Sequence, residues 1–207
     1  MGINDLLPHL PGGERNKYLH SFYNLGYKNK IVPFDAASAL WQFAAKHPND
    51  YLRGNHDPAL LEWARFLVYL RSICGWELVV FMDGMENEAK RHEAERRRIR
   101  MERAREQENP VGQITNTPEY ITKAAHVCIF LRIKVRCARK EADPQVSYYA
   151  KLTKSIPVVG DSDELAYGLP EEVGILVIVK GLNRKQQPQP GRFTYQRCEK
   201  FFKLLRK

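Results

Sequence analysis

The chain has 207 residues, which is enough for one sizeable hydrophobic core and too few for two full domains. Its apolar runs are far too short to span a bilayer and its start lacks the order of a secretory signal, so we expect an intracellular protein. It carries 33 Lys and Arg against 24 Asp and Glu, and this net charge of +9 favours a polyanionic partner such as nucleic acid or an anionic membrane surface.

Short apolar, β-prone runs alternate along the chain with helical stretches, a pattern that is typical of a parallel α/β fold. In chain order, the elements predicted for the first part are a strand at Lys30–Phe34, a helix through Leu40, Trp41 and Phe43, a helix over about Ala59–Ile73, and a strand at Glu77–Met82. We therefore expect a central, mostly parallel twisted sheet that is flanked by helices.

The second part of the chain begins with a long and very polar stretch. In chain order, its predicted elements are a helix over Glu86–Glu108, a helix from about Pro118 with Thr117 as its cap, a strand at Ile133–Cys137, a helix through Val146, Tyr149 and Leu152, strands at Ile156–Val159 and Ile175–Val179, and a final helix over about Thr194–Leu205. The same alternation of strand and helix thus continues to the end of the sequence.

Carboxylates follow each of the first four predicted strands. They are Asp35, Asp83, the pair Glu141 and Asp143, and the pair Asp161 and Asp163. The carboxyl ends of parallel strands lie along one edge of an open sheet, so these side chains are expected to converge there. Such a cluster resists joint ionisation unless cations lie within it, and oxygen ligands suit Mg²⁺ or Mn²⁺. Two ions about 3.5–4 Å apart are suited to phosphodiester hydrolysis.

Helix capping is the simpler explanation for any one of these carboxylates, because Asp is common where a strand turns into a helix. Capping explains much less well why all four strand ends carry acid, twice with carboxylates two positions apart. The pattern as a whole therefore favours a metal cluster.

The four cysteines do not indicate a zinc site. Cys74, Cys128, Cys137 and Cys198 are widely spaced and have no neighbouring Cys or His at zinc-ligand spacing. We expect them to be ordinary buried thiols.

Five stretches carry a family resemblance. The chain opens Met-Gly-Ile-Asn-Asp-Leu-Leu, and acidic motifs follow at Ile31–Ala36, Val80–Gly84, Lys140–Gln145 and Gly160–Gly168. This set resembles the XPG/flap-endonuclease superfamily of structure-specific 5′ nucleases over residues 1 to about 180. The resemblance implies a PIN-like α/β nuclease core with a basic helical arch. It further implies hydrolysis of DNA by a two-metal-ion mechanism with Mg²⁺, for which Mn²⁺ can substitute.

The resemblance also implies roles for individual residues. Asp35, Asp83, Glu141 and Asp143 would hold the ion that activates the attacking water, and Asp161 and Asp163 the ion near the leaving 3′ oxygen. Lys90 and Arg97 would be catalytic cations beside the scissile phosphate; they are seven residues apart, so they share one helix face. The residues expected to bind nucleic acid are Gly2, Trp41, Arg91, Arg96, Arg98 and Arg100. For Trp41, stacking on a base and packing in the core are equally good interpretations.

We expect one nuclease core over residues 1–207. Within it lie a first motif region over residues 1–108, which contains the basic arch helix at 86–108, and an internal motif region over residues 117–180. The family's helix–two-turn–helix region and its seventh carboxylate are not found in the sequence. The expected partner is DNA with 5′ ends, flaps or junctions, with a protein partner possible and no membrane, and the expected setting is nuclear DNA repair. A catalytically impaired DNA-binding relative, a fragment lacking the last metal ligand and a PIN-like ribonuclease stay open as alternatives.

Overall fold

Six strands of the chain form one mixed sheet in the computed structural model, which describes residues 31–72, 75–84, 91–160, 174–178 and 193–197. The strands are β1 (Ile31–Asp35), β2 (Glu77–Met82), β3 (Lys134–Cys137), β4 (Val158–Val159), β5 (Gly174–Ile178) and β6 (Phe193–Arg197). Their order in the sheet is β3-β2-β1-β4-β5-β6. All neighbours pair in parallel except β5 and β6, which are antiparallel.

The helices connect and cover the parallel strands. They are α1 (Ala37–Lys46), α2 (Pro48–Leu52), α3 (Asp57–Ser72), α4 (Arg91–Glu106), α5 (Pro118–Phe130) and α6 (Asp143–Thr153), with a 3₁₀ turn at Val111–Gln113. None of the described helices is long and apolar enough to cross a membrane. The α/β class and the mostly parallel sheet expected from the sequence are therefore confirmed.

The core lies between the central strands and the helices α1 and α3. Phe34 of β1 and Phe43 of α1 both pack against Trp63 and Phe66, and the centroids of the contacting rings are 5.5 to 6.3 Å apart. Trp63 is fully buried and donates its indole N–H to the carbonyl oxygen of Ala124 on α5, at 3.3 Å. Because buried aromatic rings remove large apolar areas from water, this cluster fixes α1, α3 and α5 around the strands that position the candidate site.

Most of the predicted boundaries agree with the structure to within two residues. The strand Glu77–Met82 is found with the predicted limits, and Thr117 caps α5 by accepting the N–H of Tyr120 at 3.3 Å. The polar helix is observed over Arg91–Glu106, and its predicted start at residues 86–90 lies outside the described residues. The short helix α2, which Pro48 begins, was not predicted.

The prediction of a final helix from Thr194 is wrong at its beginning. Residues Phe193–Arg197 form strand β6, which pairs with β5 from Ile178 to Gly174. Aromatic and β-branched residues such as Phe193, Thr194 and Tyr195 suit a pleated strand, and here strand pairing outweighs the helical spacing further along. The rest of that predicted helix lies outside the described residues.

The expectation that the cysteines are buried thiols holds for one of the two that the structure describes. Cys128 is buried on α5, and this burial raises the pKa of its thiol to about 12. Cys137 is exposed, so the prediction is wrong there. The reason is that β3 is the last strand in the sheet order, and only one residue of β3 is even half-buried. Cys74 and Cys198 lie outside the described residues.

Candidate metal and nucleic-acid site

Asp35 is the last residue of β1, and its side chain is only 4% exposed. One carboxylate oxygen, Oδ1, accepts the backbone N–H of Ala37 at the start of α1, at 3.0 Å. The sheet register pairs Asp35 with Phe81, one residue before the end of β2. Asp35 therefore lies at the edge formed by the carboxyl ends of β1 to β4, which we call the carboxyl edge.

Asp83 joins the end of β2 to the start of α6. Its Oδ1 accepts the backbone N–H of Ala142 at 2.9 Å, and Ala142 lies between Glu141 and Asp143 in the chain. This hydrogen bond places the Asp83 carboxylate against the backbone between Glu141 and Asp143, and β2 lies beside the strand that ends at Asp35. Convergence of the four acidic side chains stays a prediction.

Two glycines allow the chain segments at the carboxyl edge to approach closely. A Cβ atom at Gly84 would lie 2.9 Å from the carbonyl carbons of Ala138 and Arg139, so only glycine fits. The Gly84 N–H donates to the carbonyl oxygen of Lys140 at 2.6 Å. A Cβ atom at Gly160, just after β4, would collide with the Ser38 hydroxyl and lie 3.3 Å from Oδ2 of Asp35.

Sequence reasoning did not identify Ser38, Gly84, Ala142 and Gly160 as residues that shape this edge. Ser38 contributes a small hydroxyl side chain, and the other three contribute a backbone group or the absence of a side chain, which leave little trace in a pattern of charged residues. The only available signal was the position of a glycine directly after Asp83 and directly before Asp161.

A metal site at the carboxyl edge stays a prediction. Within the described ranges, no three His, Cys, Asp or Glu side chains form a group that could hold an ion. Asp161 and Asp163, which would complete the predicted set, lie outside the described residues. The donors that are described fit a hard cation chemically, since all are carboxylates and Asp35 and Asp83 are each oriented by a backbone N–H.

Helix α4 carries Arg97, one of the two predicted catalytic cations, on its less exposed side. Ala94, Arg97, Met101 and Ala104 follow one another at helical spacing, and Ala104 is buried where α4 packs against the 3₁₀ turn. Arg97 is itself exposed, and Lys90, its predicted companion, lies outside the described residues together with Gly2. That Lys90 and Arg97 share one helix face therefore stays a prediction, because only Arg97 is among the described residues.

The remaining arginines of α4 are not equivalent. Arg91, Arg96 and Arg100 are exposed. Arg98 forms a two-point contact with Glu95, at 2.8 and 3.1 Å, and its Nη1 lies 3.6 Å from Glu102. The hydrogen bond from Arg98 lowers the pKa of the Glu95 carboxyl. A phosphate would have to compete with two glutamates for Arg98, so Arg96 and Arg100 are better placed as nucleic-acid contacts than Arg98 is.

Trp41 is half-buried and packs against the core. Its indole N–H donates to the carbonyl oxygen of Ile114 at 3.2 Å. Nearby, the Asn116 side chain donates to the carbonyl oxygen of Ala37 at 2.8 Å. These contacts support the interpretation of Trp41 as a packing residue, and base stacking by this side chain stays a prediction.

Comparison with known proteins identifies the fold. No family model and no curated protein sequence matches the chain. Among solved structures, the catalytic core of Rad2 in complex with DNA substrate is 18% identical with a TM-score of 0.66, over 100% of this chain and 58% of that one. Human GEN1 in complex with Holliday junction DNA is 16% identical with a TM-score of 0.60, over 99% of this chain and 46% of that one. Flap endonuclease-1 from Methanococcus jannaschii is 18% identical with a TM-score of 0.57, over 89% and 61%.

The chain thus spans about half to three fifths of the length of these structures. What they share with it is a mostly parallel sheet flanked by helices. The chain has the XPG/flap-endonuclease-like 5′ nuclease fold, a PIN-like α/β core.

Proposed function

We propose that the chain is a metal-dependent, structure-specific 5′ nuclease that hydrolyses DNA phosphodiesters. The observation that carries the proposal is the hydrogen bond from the Ala142 N–H to Asp83. It holds the start of α6 against the carboxylate that follows β2, the strand next to the one that ends at Asp35. Support also comes from the fold, since the structures that resemble it are those of nucleases, some of them bound to DNA.

The proposed cofactor is a pair of Mg²⁺ ions, for which Mn²⁺ can substitute. The proposed ligands are Asp35, Asp83, Glu141, Asp143, Asp161 and Asp163. When bound, such a pair would supply an activated water and stabilise the leaving oxygen of the phosphodiester. The backbone N–H groups of Ala37 and Ala142 hold one oxygen of Asp35 and of Asp83, which fixes the direction of each carboxylate.

The cations of the basic helix would act on the phosphate group. Arg97 and Lys90 are proposed to stabilise the negative charge that builds on it during cleavage. Exposed arginines such as Arg96 and Arg100 would position the DNA backbone, since phosphate contacts fix register without reading sequence.

The test is cleavage of a 5′-labelled flap, a nicked duplex, a blunt duplex and a four-way junction, each with Mg²⁺ and with EDTA. Asp35→Asn is the informative variant, because the amide oxygen can still accept the Ala37 N–H while the charge is lost. We expect its cleavage rate to fall by at least about a hundredfold. Loss of a residue that only hydrogen-bonds a metal ligand costs up to about a hundredfold, and loss of a ligand's charge should cost no less. Asp50→Asn, on α2, is the matched control and should cleave normally.

Each other outcome has a defined meaning. Folded protein that cuts no substrate with Mg²⁺ or Mn²⁺ would contradict the proposal and favour a relative that only binds DNA. Faster cutting of a matched RNA substrate would favour the ribonuclease alternative. Cutting that survives Asp35→Asn would show that the carboxyl edge is not the reactive site.

A further inference from the structure

The exposed edge of the sheet at β3 is strongly basic. Five cations lie between residues 132 and 140, and no acidic residue interrupts them. They are Arg132, Lys134, Arg136, Arg139 and Lys140, all of them exposed, and we call them the β3 strip. None of these five side chains is among the predicted DNA contacts, which are Gly2, Trp41 on α1 and the arginines of α4.

The five cations differ in the contacts that their side chains make. The Nζ atom of Lys134 is 2.7 Å from Oε1 of Glu77 on the neighbouring strand, so this charge is neutralised locally. The guanidinium carbon of Arg136 lies 5.3 Å from the ring centroid of Tyr149, a cation–π contact that orients the group and keeps its charge. The other four cations of the strip, Arg132, Arg136, Arg139 and Lys140, are exposed.

The β3 strip is continuous with the carboxyl edge. The carbonyl oxygen of Lys140 accepts the N–H of Gly84, and the next residue is Glu141. Within β3, from Cys137 back to Lys134, the strip extends about 10 Å from that edge, at about 3.3 Å per residue. This span matches about three base-pair steps of 3.4 Å in duplex DNA.

We propose that the β3 strip binds the phosphate backbone of a duplex DNA arm that leads away from the carboxyl edge. The choice of DNA rests on the proposed nuclease function. The arrangement suits backbone binding, because five exposed cations lie along and beside one strand and no acidic residue separates them in the chain.

Protection of a sheet edge is the competing explanation, since Lys and Arg on edge strands prevent association with other strands. It accounts for Lys134 and Arg136 within β3. It does not account for Arg139 and Lys140, which follow the strand, or for Arg132, which precedes it. The two explanations differ in what they predict for DNA affinity.

The experiment measures binding of a fluorescent 5′-flap duplex by anisotropy in EDTA, where cleavage cannot occur. The strip variant is Arg132→Gln, Arg136→Gln and Arg139→Gln together. We expect its Kd to rise at least about tenfold at low salt and the slope of log K against log salt to become shallower by about 2.7, which is three phosphate contacts at 0.9 each.

The matched control removes the same charge from other exposed sites, with Arg53→Gln, Arg65→Gln and Lys154→Gln together. We expect less than about a twofold change in Kd, because net charge alone acts weakly when no phosphate contact is lost. Replacing the three strip arginines by Lys should restore most of the affinity, since Lys also binds phosphate as a point charge.

Equal weakening by the strip and control variants would overturn the proposal, and so would an unchanged Kd in the strip variant. If the strip variant associates with itself, the pair Arg139→Gln and Lys140→Gln, which lies outside β3, serves instead and must still weaken binding. The experiment measures binding in the absence of metal. It therefore tests DNA binding by the β3 strip even if the chain does not cleave DNA.

Discussion

At the level of single residues, the candidate site depends as much on Gly84 as on the carboxylate before it. Gly84 lies against the backbone of Ala138 and Arg139, and its N–H binds the carbonyl oxygen of Lys140. This close approach holds the chain after β3 where the N–H of Ala142 can reach Asp83. The direction of the Asp83 side chain is thus set by backbone contacts from a distant part of the sequence.

Gly84→Ala is expected to disturb this contact. The added methyl group meets backbone atoms that cannot rotate away, so we predict a loss of about 1–3 kcal/mol in the free energy of unfolding. Cleavage should fall as well, because Asp83 and the segment around Glu141 move apart. Urea unfolding and the flap-cleavage rate measure the two effects.

Gly54→Ala is the matched control. Gly54 has a φ of 81° with no atom within 4 Å of an added Cβ, so the substitution costs about 1–2 kcal/mol of backbone strain without a collision. Cleavage at a temperature where this variant stays folded should equal that of the unchanged chain. Equal loss of cleavage in both variants would show that stability alone, and not the position of Asp83, explains the effect.

The residues of the site were predictable where charge marks them. Asp35 and Asp83 follow apolar runs, and this local pattern placed both at one sheet edge before the structure was known. The local pattern did not predict that Asp83 would bind the N–H of Ala142, because that bond joins positions 59 residues apart through the pairing of β2 with β3.

At the level of elements, α1 is tied to the loop that follows the basic helix. Trp41 donates to Ile114, Asn116 donates to Ala37, and the Tyr120 hydroxyl donates to the carbonyl oxygen of Leu40 at 3.2 Å. The loop over residues 114–117 is therefore held against the helix that begins beside Asp35.

Trp41→Phe tests whether the indole acts mainly in this connection. The variant keeps an aromatic face and loses the hydrogen bond to Ile114, so we expect the free energy of unfolding to fall by about 0.5–1.5 kcal/mol. Affinity for flap DNA should not change. Thermal unfolding and anisotropy measure both quantities, and reduced affinity with unchanged stability would instead place the indole in contact with DNA.

The elements that were predicted correctly are those whose apolar spacing is long and regular, such as α3 and β2. The error at Thr194 has a physical cause, since a strand at the edge of a sheet gains its stability from pairing with β5 and not from its own sequence period. The short helix α2 was missed because five residues are too few for a periodic signal.

At the level of the whole molecule, a buried histidine links three helices. His56 is 4% exposed, and its ring lies 4.7 Å from that of Tyr51 on α2 and 5.4 Å from that of Tyr120 on α5. Burial lowers the pKa of His56 below its ordinary value of 6.5, and Lys123 lowers it further, while Glu119 and Asp57 act in the opposite direction. His56 is therefore neutral in the folded protein at neutral pH.

This burial predicts a loss of stability in acid. Below pH 6.5 the unfolded chain binds a proton at His56 while the folded chain does not, so the free energy of unfolding falls as the pH drops from 6.5 toward the lowered pKa. His56→Phe keeps a ring in the cluster and removes the titration. Urea unfolding across this range should show a shallower pH dependence in the variant, and identical slopes would contradict the prediction.

The order of the strands also determines when the site can form. β1 pairs with β2, which follows it closely, and with β4, where Phe34 lies opposite Val158. More than half of the chain separates those two residues, and non-local pairing of this kind slows folding. During synthesis, residues 158 to 160 must leave the ribosome before Gly160 can pack against Asp35. A partly made chain that ends before residue 160 therefore lacks the glycine that packs against Ser38 and Asp35 at the carboxyl edge.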